Sequence, residues 1–161
     1  MDEAKRNALI EAAGILGGNA TTKSAQSLAE DKAKFCQDWN TEHHEKANES
    51  ESEWQLLFRP LLTSDDFALE ADGIGMFDFL ASIEKQTKKK GSSFNAEDVI
   101  DLDESDGLES WCAGIDEELA GEGLLIVAND ADVLAVISAK ELSRLKELVS
   151  VLGESVKEFA N

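Results

Sequence analysis

The chain has 161 residues, 42% of them hydrophobic, and is long enough to form one domain with a substantial core. Its formal net charge of −19, from 34 acidic against 15 basic residues, argues against direct nucleic-acid binding, because it offers phosphates little cationic surface. No apolar run reaches the roughly 18 residues that a membrane span requires, and residues 1–18 lack the pattern of a secretory signal. We therefore expect a cytoplasmic protein without a membrane partner.

Helical spacing of apolar residues dominates the first part of the chain. It predicts a helix over 2–18, with Asp2 as its cap and Gly17 and Gly18 as its stop. A longer amphipathic helix is predicted over 21–47.

Two further helices follow. The first, over 51–62, contains the single proline of the chain, Pro60, which should end or kink the helix because its ring clashes with the preceding turn. Ser64 is a candidate cap. The second helix, over 75–91, closes with three lysines, which suit the negative end of the helix dipole.

After residue 91, short apolar and β-branched runs alternate with helical segments. Two continuous apolar runs joined by turn residues predict a hairpin, and Ser138 with Glu141 has the spacing of a capping box. The predicted elements are a strand over 98–103, a helix over 107–123, hairpin strands over 123–130 and 132–138, and a final helix over 140–159.

This order predicts an α+β fold, with a helical N-terminal part and a small, mostly antiparallel sheet covered by helices. We expect a single domain over 1–161; the alternative is a helical lobe over 1–90 and an α/β lobe over 91–161. The three tryptophans are expected in the core. A partly exposed Trp111, next to many acidic residues, would instead suit a contact with a partner.

A calcium loop of the EF-hand type is one interpretation of the stretch that begins at Asp101. Oxygen ligands stand at the first, third and fifth loop positions (Asp101, Asp103 and Ser105). The sixth position, however, is Asp106 rather than glycine, and the twelfth is Cys112 rather than glutamate. The loop therefore lacks its turn and its bidentate ligand.

Catalytic carboxylates and metal sites are further candidates. Acids at a strand end and helix start are favoured simply as caps and dipole partners. Adjacent His43 and His44 point about 100° apart on a helix and cannot readily share one metal; a site that combines Cys36 with His43 remains an alternative. Two cysteines are too few for a disulfide framework, so both are expected to be buried thiols.

From residue 97 to residue 132 the chain has thirteen acidic residues and no lysine or arginine. A surface that serves only solubility usually mixes signs, because opposite charges relieve repulsion. The stretch therefore favours a cationic partner, which would be steered to it electrostatically. General acidity for solubility remains the alternative interpretation.

The C-terminal half, from about residue 98 to residue 153, resembles small bacterial α/β domains found in uncharacterised families and among immunity proteins of secreted toxins. The likeness lies in "DVIDLDESDGLESW" as a strand and an acidic helix, "GLLIVANDADVLAVIS" as a strand pair, and "AKELSRLKELVSVLG" as a closing helix. The resemblance implies a stoichiometric inhibitor that covers the active site of a basic toxin, often a nuclease. It assigns no role to any single residue.

We accordingly predict a binding protein of the immunity or antitoxin type, without enzymatic activity or cofactor, that occludes a basic partner such as a secreted nuclease toxin. Two alternatives stay open: a DNA-mimic inhibitor of a DNA-binding protein, and an enzyme that uses the carboxylates with a divalent metal. The predicted partner-binding residues are Asp101, Asp103, Glu104, Asp106, Glu109, Trp111, Asp116, Glu117 and Glu118.

Overall fold

The computed structural model describes residues 1–17, 19–63, 67–99 and 101–159. Within them lie seven α-helices and a four-stranded antiparallel sheet, which confirms the predicted α+β class with a helical N-terminal part. None of the helices in these ranges has both the length and the apolar character needed to cross a bilayer. The helices are α1 (Glu3–Gly17), α2 (Asn19–Glu30), α3 (Lys32–His43), α4 (Glu53–Leu62), α5 (Met76–Lys89), α6 (Leu108–Ala120) and α7 (Leu142–Val151). The strands are β1 (Leu69–Glu70), β2 (Leu124–Ala128), β3 (Val133–Ser138) and β4 (Lys157–Glu158).

Helix α1 begins and ends near the predicted positions. Asp2 Oδ1 accepts a hydrogen bond from the Lys5 N–H at 2.8 Å, which is the predicted cap. At Gly17 a Cβ atom would lie 2.6 Å from Thr21 Cγ2, so the close approach of α2 to α1 requires glycine there. Gly18 lies outside the described residues.

The single helix predicted over 21–47 is wrong, because the structure divides this range between α2 and α3. The break falls at Asp31, which has extended backbone angles and accepts a hydrogen bond from the Lys34 N–H at 3.1 Å. An aspartate side chain that satisfies a free N–H group begins a new helix, even inside a run with unbroken apolar spacing.

Helix α4 contains Pro60 and ends two residues later, at Leu62, so the proline does not itself end the helix. At its other end Ser52 and Gln55 form a capping box: the Ser52 Oγ accepts from the Gln55 N–H at 3.1 Å, and Gln55 Oε1 accepts from the Ser52 N–H at 3.3 Å. Ser64, the candidate cap, lies outside the described residues.

The strand predicted over 98–103 is wrong. The described part of this range contains the end of a 3-10 turn (Ala96–Asp98) and then irregular backbone; Ile100 is not described. Val99 and Leu102 still pack against the core, which explains the apolar pattern. The strands that flank the central hairpin are β1 and β4 instead, and each is two residues long.

Two details of the predicted C-terminal helix are also wrong. Ser138 makes no side-chain cap, because a 3-10 turn (Ala139–Glu141) separates it from α7, and Glu141 is itself the N-cap residue of that helix. The helix ends near Gly153, which has a φ of 80°, and the residues beyond it form β4. The predicted hairpin of β2 and β3 is confirmed.

The sheet has the order β1-β3-β2-β4 and separates two cores. Since side chains alternate along a strand, the central hairpin contributes to both. The core shared with α1 to α4 and α7 contains Val127, Val133, Ala135 and Ile137. The core shared with α5 and α6 contains Leu124, Ile126, Ala128, Leu134 and Val136. Helix α5 shares a core with α6, and α7 shares a core with the N-terminal helices. Neither core therefore coincides with one of the two alternative lobes, residues 1–90 and 91–161.

Candidate protein-binding surface

The acidic segment, residues 97–106, lies against α6. Its apolar Leu102 contacts α6 at Gly114, where an added Cβ atom would be 2.7 Å from Leu102 Cδ2. Glycine at this position therefore lets the segment approach the helix closely. Val99 and Leu102 are turned to the core, and the six acids of the segment are exposed; these acids are Glu97, Asp98, Asp101, Asp103, Glu104 and Asp106.

A second contact fixes the end of the segment through Trp111. The indole Nε1 donates a hydrogen bond to the Asp103 carbonyl oxygen at 2.8 Å, and the ring contacts that of Phe79 with centroids 5.7 Å apart. The side chain is buried, as the sequence predicted for the tryptophans. Trp111 therefore positions the acidic segment from beneath and has no exposed ring with which to contact a partner.

The Asp103 carboxylate also has a local role. Its Oδ1 accepts hydrogen bonds from the Ser105 N–H at 2.9 Å and the Ser105 Oγ at 2.8 Å. These bonds lower the pKa of Asp103 from its usual value. Asp103 is thus a fixed, ionised group at the start of the turn that leads into α6.

The structure brings together five of the nine predicted site residues, all of them exposed acids, at the N-terminal end of α6. Two more exposed acids, Glu117 and Glu118, lie in the last turn of the same helix, and Trp111 and Asp116 are buried. We call the seven exposed acids the acidic face. They are Asp101, Asp103, Glu104, Asp106, Glu109, Glu117 and Glu118.

Little positive charge balances the acids between residues 97 and 132. Among the described residues, their ion pairs all involve Lys157 of β4, which lies 3.5 Å from Glu109 and 2.8 Å from Asp132. The α6 dipole favours acids at its N-terminal end but disfavours Glu117 and Glu118 at its C-terminal end, where no basic residue is present. These two charges therefore oppose the stability of the helix that carries them.

Asp116 performs a different task from its neighbours. Its Oδ1 accepts a hydrogen bond from the Ile126 N–H at 2.8 Å, and Oδ2 has no hydrogen-bond partner among the described residues. Burial raises the pKa of this carboxyl to about 6, against the effect of the Ile126 bond. Burial, together with the Asp116 charge, also raises the pKa of the Cys112 thiol to about 12. Asp116 therefore belongs to the interior and not to the acidic face.

Phe77 is an exposed aromatic residue that the functional interpretation of the sequence missed. Its side chain is 72% exposed in the first turn of α5, and that turn adjoins α6 through the contact between Phe79 and Trp111. A signal was available, because residues two apart on a helix point roughly 200° away from each other. Phe77 and Phe79 could not both face the core.

The candidate metal ligands do not converge. In the described ranges, no three His, Cys, Asp or Glu side chains form a group that could hold a metal ion. The His43 ring stacks on Trp39 with centroids 3.8 Å apart, and His44 adopts left-handed backbone angles beyond the end of α3. Burial raises the pKa of the Cys36 thiol, which keeps it neutral at physiological pH.

Comparison with known proteins identifies no relative: the chain matches no protein-family model, no curated protein and no solved structure. The fold itself defines the class: it is α+β, with a layer of helices on each side of the sheet. Any proposal of function has to rest on the surface described above.

Proposed function

We propose that this protein binds a basic protein partner through the acidic face. The observation that supports this most directly is its charge: seven exposed carboxylates lie on the acidic segment and on α6, and among the described residues one lysine, Lys157, is paired with one of them. The packing of the segment against α6 matters for binding. Because the segment is already ordered in the free protein, less conformational entropy is lost when a partner binds.

The capture would proceed in two steps. The field of the acidic face first steers an Arg- and Lys-rich surface towards α6, which speeds association at low salt. An apolar contact then slows dissociation, since a few buried groups rather than rim charges usually hold a complex together. With Trp111 buried, the candidate for this contact is Phe77, which is exposed in the first turn of α5, the turn whose Phe79 contacts Trp111 of α6.

The finer proposal is an inhibitor of the immunity or antitoxin type that acts in the cytoplasm and covers the active site of a basic partner, such as a nuclease toxin. Its support is the acidic face together with the resemblance of residues 98–153 to domains of that kind, of which the hairpin and the closing helix are present and the strand over 98–103 is not. A nuclease active site is positively charged because it binds phosphates, so a protein surface of opposite charge can occupy it.

Affinity capture with a matched pair of variants tests the proposal. The first variant replaces Asp101, Glu104 and Glu118 by lysine within the acidic face. The control replaces three exposed acids of α1 to α3 by lysine and so changes the net charge equally; they are Glu3, Glu30 and Glu42.

At low salt the wild type and the control should retain the same basic protein, and the acidic-face variant should lose it. Equal retention by both variants contradicts the proposal. Capture of many unrelated DNA-binding proteins, all displaced by added DNA, would instead indicate a DNA mimic.

A further inference from the structure

A cleft of about 580 Å³ lies between α4 and strand β1, on the side of the sheet opposite to α6. Its floor is apolar and its rim is acidic. The apolar lining residues are Phe58, Leu62, Ala68, Leu69, Ala131 and Val133. The acidic ones are Glu45, Glu51 and Glu70. We propose that this cleft binds an extended basic peptide segment of another protein, a function separate from that of the acidic face.

The one cation that lines the cleft is already neutralised within the described residues. Arg59 Nη2 donates to Glu51 Oε1 at 2.9 Å, Arg59 Nε donates to Glu51 Oε2 at 3.4 Å, and Arg59 Nη1 donates to Glu45. The guanidinium is therefore turned to its own carboxylates and does not repel an incoming cation. Glu70 is exposed and makes no ion pair with any described lysine or arginine, so its charge is left for a ligand.

The wall formed by β1 has an unused edge. β1 pairs with β3 through Leu69 and Leu134, and the Ala71 N–H donates to the Asp132 carbonyl oxygen at 3.1 Å. Main-chain groups alternate in direction along a strand, so the N–H and C=O of Glu70, which lies between these residues, point away from β3. No described strand lies beyond β1.

These features together fit an extended chain of alternating character. Main-chain hydrogen bonds to Glu70 would add the peptide to the sheet, as in other cases of strand addition. A lysine or arginine side chain of the peptide would meet the Glu70 carboxylate. Because side chains alternate along a strand, the next residues on that side stand two positions away, and the methylene stems of lysines there would contact Phe58 and Leu62. A neutral or acidic peptide has no cationic side chain to pair with the Glu70 carboxylate.

The probe that tests this is a fluorescently labelled peptide, Lys-Val-Lys-Val-Lys-Val, compared with Glu-Val-Glu-Val-Glu-Val and with a copy of the basic peptide that is N-methylated at alternate residues. N-methylation keeps the charges and side chains but removes the N–H groups needed for strand pairing. Fluorescence anisotropy should show saturable binding of the basic peptide, at least about ten-fold weaker binding after N-methylation, and none of the acidic peptide.

On the protein side, Glu70→Lys should weaken binding of the basic peptide by a similar factor, whereas Glu3→Lys, an equal charge change on α1, should not. The Glu70 amide should become protected from hydrogen exchange when the peptide is bound. Equal binding of the N-methylated and unmodified peptides, or equal effects of Glu70→Lys and Glu3→Lys, overturns the proposal. Because the probe experiment needs no partner of the acidic face, either proposal can fail without the other.

Discussion

The carboxylate of Asp116 accepts a hydrogen bond from the main-chain N–H of Ile126 at 2.8 Å. It occupies the position in which the carbonyl oxygen of a neighbouring strand would accept this bond. Ile126 is paired across the hairpin with Val136. On the opposite edge of the hairpin, the Val136 N–H donates a hydrogen bond to Gln86 Oε1 at 3.0 Å. β1 and β4 are only two residues long and leave these two N–H groups uncovered. One buried side chain from α6 and one from α5 accept hydrogen bonds from these two N–H groups instead.

The raised pKa of Asp116 predicts a pH dependence of stability. In the unfolded chain an aspartate titrates near pH 4, whereas Asp116 in the folded protein titrates near pH 6. The folded state therefore holds the proton more tightly, and its stability falls as the pH rises from about 4 to 6, by up to about 3 kcal/mol. Asp116→Asn keeps an acceptor for Ile126 but cannot ionise, so it should lack this loss.

The measurement is the free energy of unfolding by urea between pH 2.5 and pH 7.5. The stability of Asp116→Asn relative to the wild type should increase with pH over this window. Asp103→Asn is the control of opposite sign: the pKa of Asp103 is lowered, so wild-type stability due to this group is lost as the pH falls below about 4. A constant difference between Asp116→Asn and wild type across the window would contradict the account.

Gln86→Leu should destabilise the fold by about 1–3 kcal/mol, because it leaves the buried Val136 N–H without an acceptor. Gln26→Leu is the matched control, since Gln26 is exposed on α2 and its replacement should change stability by less than about 0.5 kcal/mol. Denaturant unfolding of the two variants checks this. Similar values for both would show that Gln86 does not support β3.

Gly114→Ala should loosen the acidic segment from α6, because its methyl group would fall 2.7 Å from Leu102 Cδ2. Faster amide hydrogen exchange in residues 101–106 is the expected result. The double variant with Leu102→Ala relieves the overlap but removes the apolar anchor, so its segment should also exchange faster. Gly121→Ala, where the nearest atom is 3.9 Å away, should leave exchange unchanged; equal exchange in all three variants would disprove this packing.

Phe77→Ala should leave folding stability within about 0.5 kcal/mol of the wild type, since the ring is 72% exposed. If Phe77 supplies the apolar contact, the complex with the captured basic protein should dissociate at least about ten-fold faster, with little change in association rate. Surface plasmon resonance separates the two rates. An unchanged dissociation rate excludes Phe77 as the contact and leaves the electrostatic step intact.

The sequence was sufficient for elements whose spacing is continuous, such as α1, α5, α6 and the β2–β3 hairpin. The pattern gave a wrong prediction where a single side chain determines the local structure. At Asp31 the side chain caps a new helix and divides a periodic run into α2 and α3. The pattern gave a second wrong prediction over 98–103, because β-branched and apolar residues that contact a helix have the same pattern as a strand. β1 and β4 depend on pairing with the distant hairpin, and nothing local in two residues indicates it.

The candidate surface was predictable in part for similar reasons. A long stretch without lysine or arginine is visible in the sequence, and most of its acids are exposed. The burial of Asp116 was not visible, since a single position of α6 faces the uncovered edge of β2. Trp111 was correctly expected in the core, but its bond to the Asp103 carbonyl oxygen, which fixes the acidic segment, depends on the tertiary structure.

The most direct test of the central claim is the association rate of the captured partner, measured by stopped flow from 20 mM to 500 mM salt. For the wild type and the Glu3, Glu30 and Glu42 lysine variant, the rate should fall steeply as salt screens the charges. For the Asp101, Glu104 and Glu118 lysine variant, it should be at least about ten-fold lower at 20 mM and nearly independent of salt. Equal rates and equal salt dependence for both triple variants would show that net charge alone, and not the acidic face, attracts the partner.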